Sequence, residues 1–243
     1  MTNPFFTFVG WSIPVALALA AWAVIRALRA DSHRVASLRR ELPKLGFRAL
    51  ERSDQELNER VLRLFPSASR HRTIERAWVR DNPGKRIYVA DFWTADTGGG
   101  DRTSTMVTEG CVLVVAPGLH MPRFRVLPKI DITDALPAFA RPWRQYVDAR
   151  LGGPITMEDA PEEFGQRYTV TGEDAAAIRQ FLSAQRLREL GSLKYRTLEA
   201  GGDMFVYLRR EPEFPGHPVQ APDIATLVEE ARLLCDVFQA PKP

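Results

Sequence analysis

From Phe5 to Ile25 the chain reads FFTFVGWSIPVALALAAWAVI, 21 residues without a charged side chain. An apolar helix of about 20 residues crosses the roughly 30 Å hydrocarbon layer of a bilayer, so this run predicts one transmembrane helix. Pro14 lies inside it, where a membrane helix tolerates a kink. Trp11 and Trp22 lie towards its ends, where indole rings settle at headgroup level. Beyond the run, Leu28, Val35, Leu38, Leu42 and Leu45 recur at the spacing of an amphipathic helix. Pro43 disturbs that helix, Gly46 is its natural stop, and Phe47–Leu50 predicts a short strand.

Ser53-Asp54-Gln55-Glu56 fits a capping box, followed by a helix with Leu57, Val61, Leu64 and Phe65 on one face that ends before Pro66. Residues 67–73, SASRHRT, read as a basic polar loop in which Arg70, His71 and Arg72 are either a phosphate contact or simply solvated. From Ile74 the period becomes that of strands. IERAWV, KRIYVADFW, TSTMVTEGCVLVVA and RFRVLP, separated by Asn82-Pro83-Gly84, Gly98-Gly99-Gly100 and Pro117-Gly118, predict a four-stranded antiparallel meander. Val107, Cys111, Leu113 and Val115 are its third strand's candidate core face.

Residues 128–163 are rich in proline and predict at most a short helix around 135–150, with Leu136, Phe139, Trp143, Tyr146 and Val147 covering a sheet edge. FGQRYTV then resumes a strand, and Thr171-Gly172-Glu173-Asp174 starts a helix that buries Ala177, Ile178, Phe181 and Leu182. Ser183 restarts a second short helix to Leu190, with Gly191 as its stop. YRTLEAGGDMFVYLRR predicts a hairpin turning at Ala200-Gly201-Gly202-Asp203. A helix over 222–239 follows, with Ile224, Leu227, Val228, Ala231, Leu234, Cys235 and Phe238 on one face. The fold expected is α+β: an N-terminal transmembrane helix, then an antiparallel sheet of meander plus hairpin packed with several helices. The divisions are 1–30 as anchor, 31–66 as a basic juxtamembrane helical region and 67–240 as a soluble α+β domain.

Charge sharpens the topology. The 243 residues carry a net +3, but residues 26–86 hold 16 Lys/Arg against 8 Asp/Glu, and residues 87–243 hold 17 against 22. Basic residues on the C-terminal side of the apolar run place the N-terminus outside and the large domain in the cytoplasm. A cleaved secretory signal competes, because Ala16, Ala18, Ala20, Ala21 and Ala23 suit a peptidase, yet the leader MTNP lacks the positive charge such a signal wants. Arg26, Arg29, Arg34, Arg39 and Arg40 are candidate contacts to the membrane surface; the alternative is that they only fix topology. Cys111 and Cys235 are too few for a disulfide scaffold and read as packed thiols.

FGQRYTVTGEDAAAIRQFLSAQRLREL, the GGDMFVYLRR hairpin and the closing amphipathic helix together resemble a group of bacterial single-pass membrane-anchored domains of unknown function. The basic helix ending in LGF and the MPRF before RVLP fit the same pattern. The resemblance covers most of the chain and carries over no catalytic residue.

Independent chemical signatures are lacking. There is no G-x-S-x-G elbow, H-E-x-x-H pair, P-loop or dinucleotide fingerprint, and TGGGDR lacks the Lys-Ser/Thr that holds a nucleotide. His33, His71, His120 and His217 show no metal-ligand spacing, and Asp91, Asp96 and Asp101 form at most an acidic strand patch. The basic segment has no interleaved aromatic platform for nucleic acid. The preferred expectation is a non-enzymatic interaction or scaffold module that uses no cofactor, with the bilayer and a protein at the membrane as partners. The alternative is a binder of, or enzyme acting on, a lipid or envelope precursor held between sheet and helices.

Overall fold

The computed structural model describes residues 21–22, 29, 32–50, 55–64, 70–96, 106–129, 153–193, 196–209 and 221–240. The apolar run apart from Ala21 and Trp22, Arg26, Ser53-Asp54 of the capping box, the triple-glycine tip and the helix expected around 135–150 lie outside the described residues. No described helix is long and apolar enough to cross a membrane.

The chain divides into two compact units, Met1–Leu45 and Gly46–Pro243. In the first, a helix over 32–41 buries Leu38 and half-buries Val35, as the stripe predicts. It tightens into a 3-10 turn at Leu42–Leu45. Pro43 accounts for the change, since it has no amide to donate one turn back. Gly46, the first residue of the second unit, has φ 79°, the left-handed conformation that glycine adopts without strain.

The second unit is built on one antiparallel sheet. Its strands are β1 (Arg48–Ala49), β2 (Arg70–Asn82), β3 (Lys85–Asp96), β4 (Met106–Val115), β5 (Met121–Pro128), β6 (Pro154–Ile155), β7 (Tyr168–Gly172), β8 (Arg196–Gly202) and β9 (Met204–Arg209). Across the sheet they lie in the order β1-β2-β3-β4-β9-β8-β5-β7-β6. The helices are α1 (Gln55–Leu64), α2 (Glu162–Arg167), α3 (Ala175–Phe181), α4 (Ala184–Ser192) and α5 (Ala221–Gln239).

The first three strands of the meander pair as expected, turning at Pro83-Gly84, where Gly84 has φ 73°. The fourth does not join them. The free edge of β4 over Val112–Val115 pairs with Met204–Tyr207 of β9, so the late hairpin is inserted between β4 and β5. The reason is burial: CVLVVA and MFVYL are continuous apolar runs, the mark of strands covered on both faces, whereas MPRFRVLP is mixed. The link from β4 to β5 passes the hairpin tip, where the Ala116 amide donates to the Asp203 carbonyl at 2.8 Å.

Leu57, Val61 and Leu64 of α1 pack with Ala77, Val79, Tyr88, Ala90, Phe92, Cys111, Leu113 and Val206 on one face. On the other, α5 lies against β3, β4 and β9, and α3 lies against β5. All seven predicted core positions of α5 are buried. Phe124, Phe181, Phe238 and Phe205 form a chain of ring contacts at 5.8, 5.5 and 5.7 Å that ties β5, α3, α5 and β9 together.

Other expectations shift. Arg70–Thr73 belong to β2 rather than a loop, because the backbone pairs with Trp93–Asp96 across the long hairpin. Phe164–Arg167 are helical and only Tyr168–Gly172 form a strand; Pro161 precedes the helix, and Glu162 and Glu163 suit the positive end of its dipole. Gly191 lies inside α4, which runs on to Ser192. A Cβ there would lie 3.3 Å from that of Phe164, so the glycine admits α2 close to α4. Ser183 caps α4 where the second helix was expected to start, whereas Thr171 and Gly172 still belong to β7 and Asp174, the last residue of the expected helix start, caps α3.

Gly172 is a close-packed point at which α3 meets the sheet. A Cβ there would run into Ile178 Cδ1 and lie 2.5 Å from the Arg123 carbonyl oxygen, whereas one at Gly118 would find only Gln239 Nε2 at 3.9 Å. Gly172→Ala is therefore expected to lower stability by about 1–3 kcal/mol, with Gly118→Ala near neutral, both read from denaturant midpoints. Equal midpoints for the two variants would contradict this packing.

Candidate functional site

Charged and hydroxyl side chains enter the interior of the second unit on both faces of the sheet. On the α1 face, register places Thr171, Arg125 and Glu199 in one row across β7, β5 and β8. Thr197 follows on the same face of β8, two residues before Glu199. Arg125 Nη2 and Glu199 Oε1 are 3.1 Å apart, and the Glu199 side chain is 4% exposed. The hydroxyls of Thr171 and Thr197 are buried without a hydrogen-bond partner among the described residues. Such a row is a neutral ion pair flanked by two underused hydroxyls. The pair holds β5 and β8 in register, since its partners come from different strands and a one-residue slip would send either to the other face.

Beneath α5 the arrangement is fully engaged. Arg196 meets Glu230 through two parallel bonds, Nε to Oε2 at 2.7 Å and Nη2 to Oε1 at 2.9 Å, and the Tyr207 hydroxyl donates to Oε2 at 2.9 Å. This fork-to-fork geometry docks α5 on the hairpin at a set angle. Burial first, and the Glu230 carboxylate second, push the Tyr207 phenol far above its ordinary value. The neighbouring Tyr168 donates to the Leu193 carbonyl, and its phenol is also raised, mainly by burial. Both phenols therefore hold their protons and serve as donors.

Arg186 is a third buried cation. Its guanidinium donates to the carbonyls of Phe181, Phe238 and Ala240 at 2.8, 2.9 and 3.2 Å and lies over the Phe181 ring at 4.3 Å. Burial lowers its pKa. It sits where the last carbonyls of α5 present the negative end of the helix dipole, so it caps that helix.

The residues singled out from sequence are not assembled into a reaction centre. Asp91 is buried and 3.8 Å from Arg76, so it is no part of a surface acidic patch, while Asp101 and the Asp96 side chain lie outside the described residues. Arg70, His71 and Arg72 have described backbone only; His33 and His120 are exposed, and His217 lies outside. Cys111 and Cys235 are buried and unpaired with each other; Cys111 Sγ lies 3.4 Å from the Ala90 carbonyl, and burial raises the Cys235 thiol. Both are packed thiols, as the sequence implies. Among the described residues no group of three His, Cys, Asp or Glu side chains is placed to hold a metal ion.

Of the candidate membrane-surface arginines, Arg29, Arg39 and Arg40 are exposed, Arg34 is buried and Arg26 lies outside the described residues. Sequence reading did not single out Arg125, Glu199, Arg186, Arg196 or Glu230. The available signal was charge on inward strand positions: Thr197, Glu199 and Gly201 alternate with Leu198 and Ala200, which reads as a wet face until β8 is known to be interior.

No family model, curated protein or solved structure matches the chain.

Two outcomes follow from the buried groups. Glu199→Gln removes the carboxylate 3.1 Å from the Arg125 guanidinium and is expected to cost about 3–5 kcal/mol, whereas Arg125→Met combined with Glu199→Leu stays within about 1 kcal/mol of the parent or exceeds it. Equal losses in the single and double variants would contradict a mutually compensating pair. Tyr207 gives the second. Its folded pKa is raised, so its contribution is whole below the ordinary phenol value of about 10 and is lost as pH rises from there towards the folded value. Tyr207→Phe should cost about 1.5–3 kcal/mol at pH 7 through the lost bond to a carboxylate, and its midpoint should fall less steeply than the parent's above about pH 10. Parallel alkaline slopes would refute this role.

Proposed function

We propose that the chain is a single-pass protein of the bacterial inner membrane, anchored by Phe5–Ile25 with its N-terminus outside, and that its α+β body is a non-enzymatic interaction or scaffold module on the cytoplasmic side. The observation that carries this reading is the run of 21 uncharged residues followed at once by Arg26, Arg29 and Arg34. At about 1.5 Å per residue such a helix matches the hydrocarbon layer, and immersion in water would expose nearly all of its apolar surface.

The body supports the same reading through what its charges do. Arg186 closes a helix end, Arg196 and Glu230 dock α5 on a hairpin, and Arg125 and Glu199 bridge two strands. The described buried groups of this kind are committed to architecture, which suits a rigid body that presents a surface.

Alkaline carbonate washing and paired C-terminal reporters test the assignment. The full chain should stay with the membrane pellet, a reporter that fluoresces only in the cytoplasm should be bright, and a periplasm-dependent phosphatase at the same position should be silent. Release into the wash, or phosphatase activity, would overturn the anchor or its orientation respectively.

A further inference from the structure

The helix over 32–41 has one side committed and one side open. Arg34 and Leu38 are buried, as is Leu42 just beyond the helix, whereas Ser32, His33, Ala36, Arg39 and Arg40 are exposed. At 100° per residue these five positions fall within about a third of the circumference. Ser32 and Ala36 are short, so the two guanidinium groups stand proud of a flat strip. Glu41 is the neighbouring carboxylate: Lys44 Nζ bonds both of its oxygens at 3.0 Å, and Arg40 Nε lies 3.6 Å from Oε1 in a solvent-exposed ion pair that leaves the strip with a net positive charge. Arg29, also exposed, adds a further cation, and its carbonyl accepts from Ser32 Oγ at 2.8 Å.

We propose that this strip rests on anionic phospholipid headgroups, with the helix lying along the membrane surface; the inference rests on the anchoring by Phe5–Ile25 proposed above. Distance decides the orientation. A helix rising straight out of the bilayer from Ile25 would carry Arg40 about 22 Å away, well past the screening length of about 8 Å at physiological salt. Its charge would gain nothing there. Laid flat, Arg39 and Arg40 both lie within that length. Roughly 1 kcal/mol per basic side chain near an anionic surface then favours the flat arrangement about thirtyfold for the pair.

The apolar side of the helix is already buried, so contact needs no insertion into lipid and is electrostatic. Arg34, being buried, takes no part. An acidic protein is the competing occupant, but a membrane anchor a few residues upstream holds headgroups beside the strip at high effective concentration.

The test uses the full chain with Ala36→Cys, labelled there with a fluorophore while the buried Cys111 and Cys235 stay unmodified. The labelled chain is placed in nanodiscs that carry a headgroup-attached quencher, made either of phosphatidylcholine or of a mixture with phosphatidylglycerol. Quenching should be stronger in the mixture and return to the phosphatidylcholine level at high salt and in Arg39→Gln/Arg40→Gln. Equal quenching in both lipids, or an enhancement that survives salt and the double substitution, overturns the contact while leaving the anchor standing. Absence of quenching together with salt-sensitive binding of a polyglutamate peptide assigns the strip to an acidic protein and also overturns it. A chain that does not remain with the discs removes the anchor and the contact together.

Discussion

A strand covered on both faces has no access to water for its peptide groups, so both of its edges must be hydrogen-bonded by other strands. The four residues Val112, Leu113, Val114 and Val115 of β4 are all buried, and this requirement shapes the second unit. One edge is met by β3, which is adjacent in sequence. The other is met by β9, which arrives much later in the chain and brings β8 with it. Once that hairpin is seated, β5 can only join beyond it, and the link over 116–120 must run past the hairpin tip.

Covering both faces sets the helices. Leu57, Val61 and Leu64 close one side, and the long apolar stripe of α5 closes the other. A helix laid on a sheet by apolar contact alone can slide, because the hydrophobic effect has no direction. The polar groups supply what it lacks. Arg196, Glu230 and Tyr207 fix α5 laterally, Arg186 fixes its end, and small residues at Ala200 and Gly172 leave room for the aromatic rings and for α3.

Elements with local signals were legible in the sequence. Pro83-Gly84 encodes its turn, Asp174 and Ser183 encode caps, and the α5 stripe encodes a buried face, since each depends on residues within a turn or two of one another. The order of strands was not legible, because an antiparallel neighbour is chosen by complementarity between distant segments. The same blindness hid the buried charges. Glu199 looks like an ordinary wet position on β8 until Arg125, 74 residues earlier in the chain, is placed beside it. Gly191 was misread for a related reason: its small size answers Phe164 across space and not the end of its own helix.

The insertion of the last hairpin has a consequence during synthesis on the ribosome. β4 leaves the exit tunnel with its second edge unclaimed, and Met204–Tyr207 are made only after the whole stretch from Ala116 onwards. At typical elongation rates of about 5–20 residues per second the wait lasts seconds, long compared with hairpin formation. During it a bare, highly apolar edge is open to pairing with any neighbouring nascent chain. Completion of the sheet is thus coupled to translation of the C-terminal third, which supplies the strand that closes the second edge of β4.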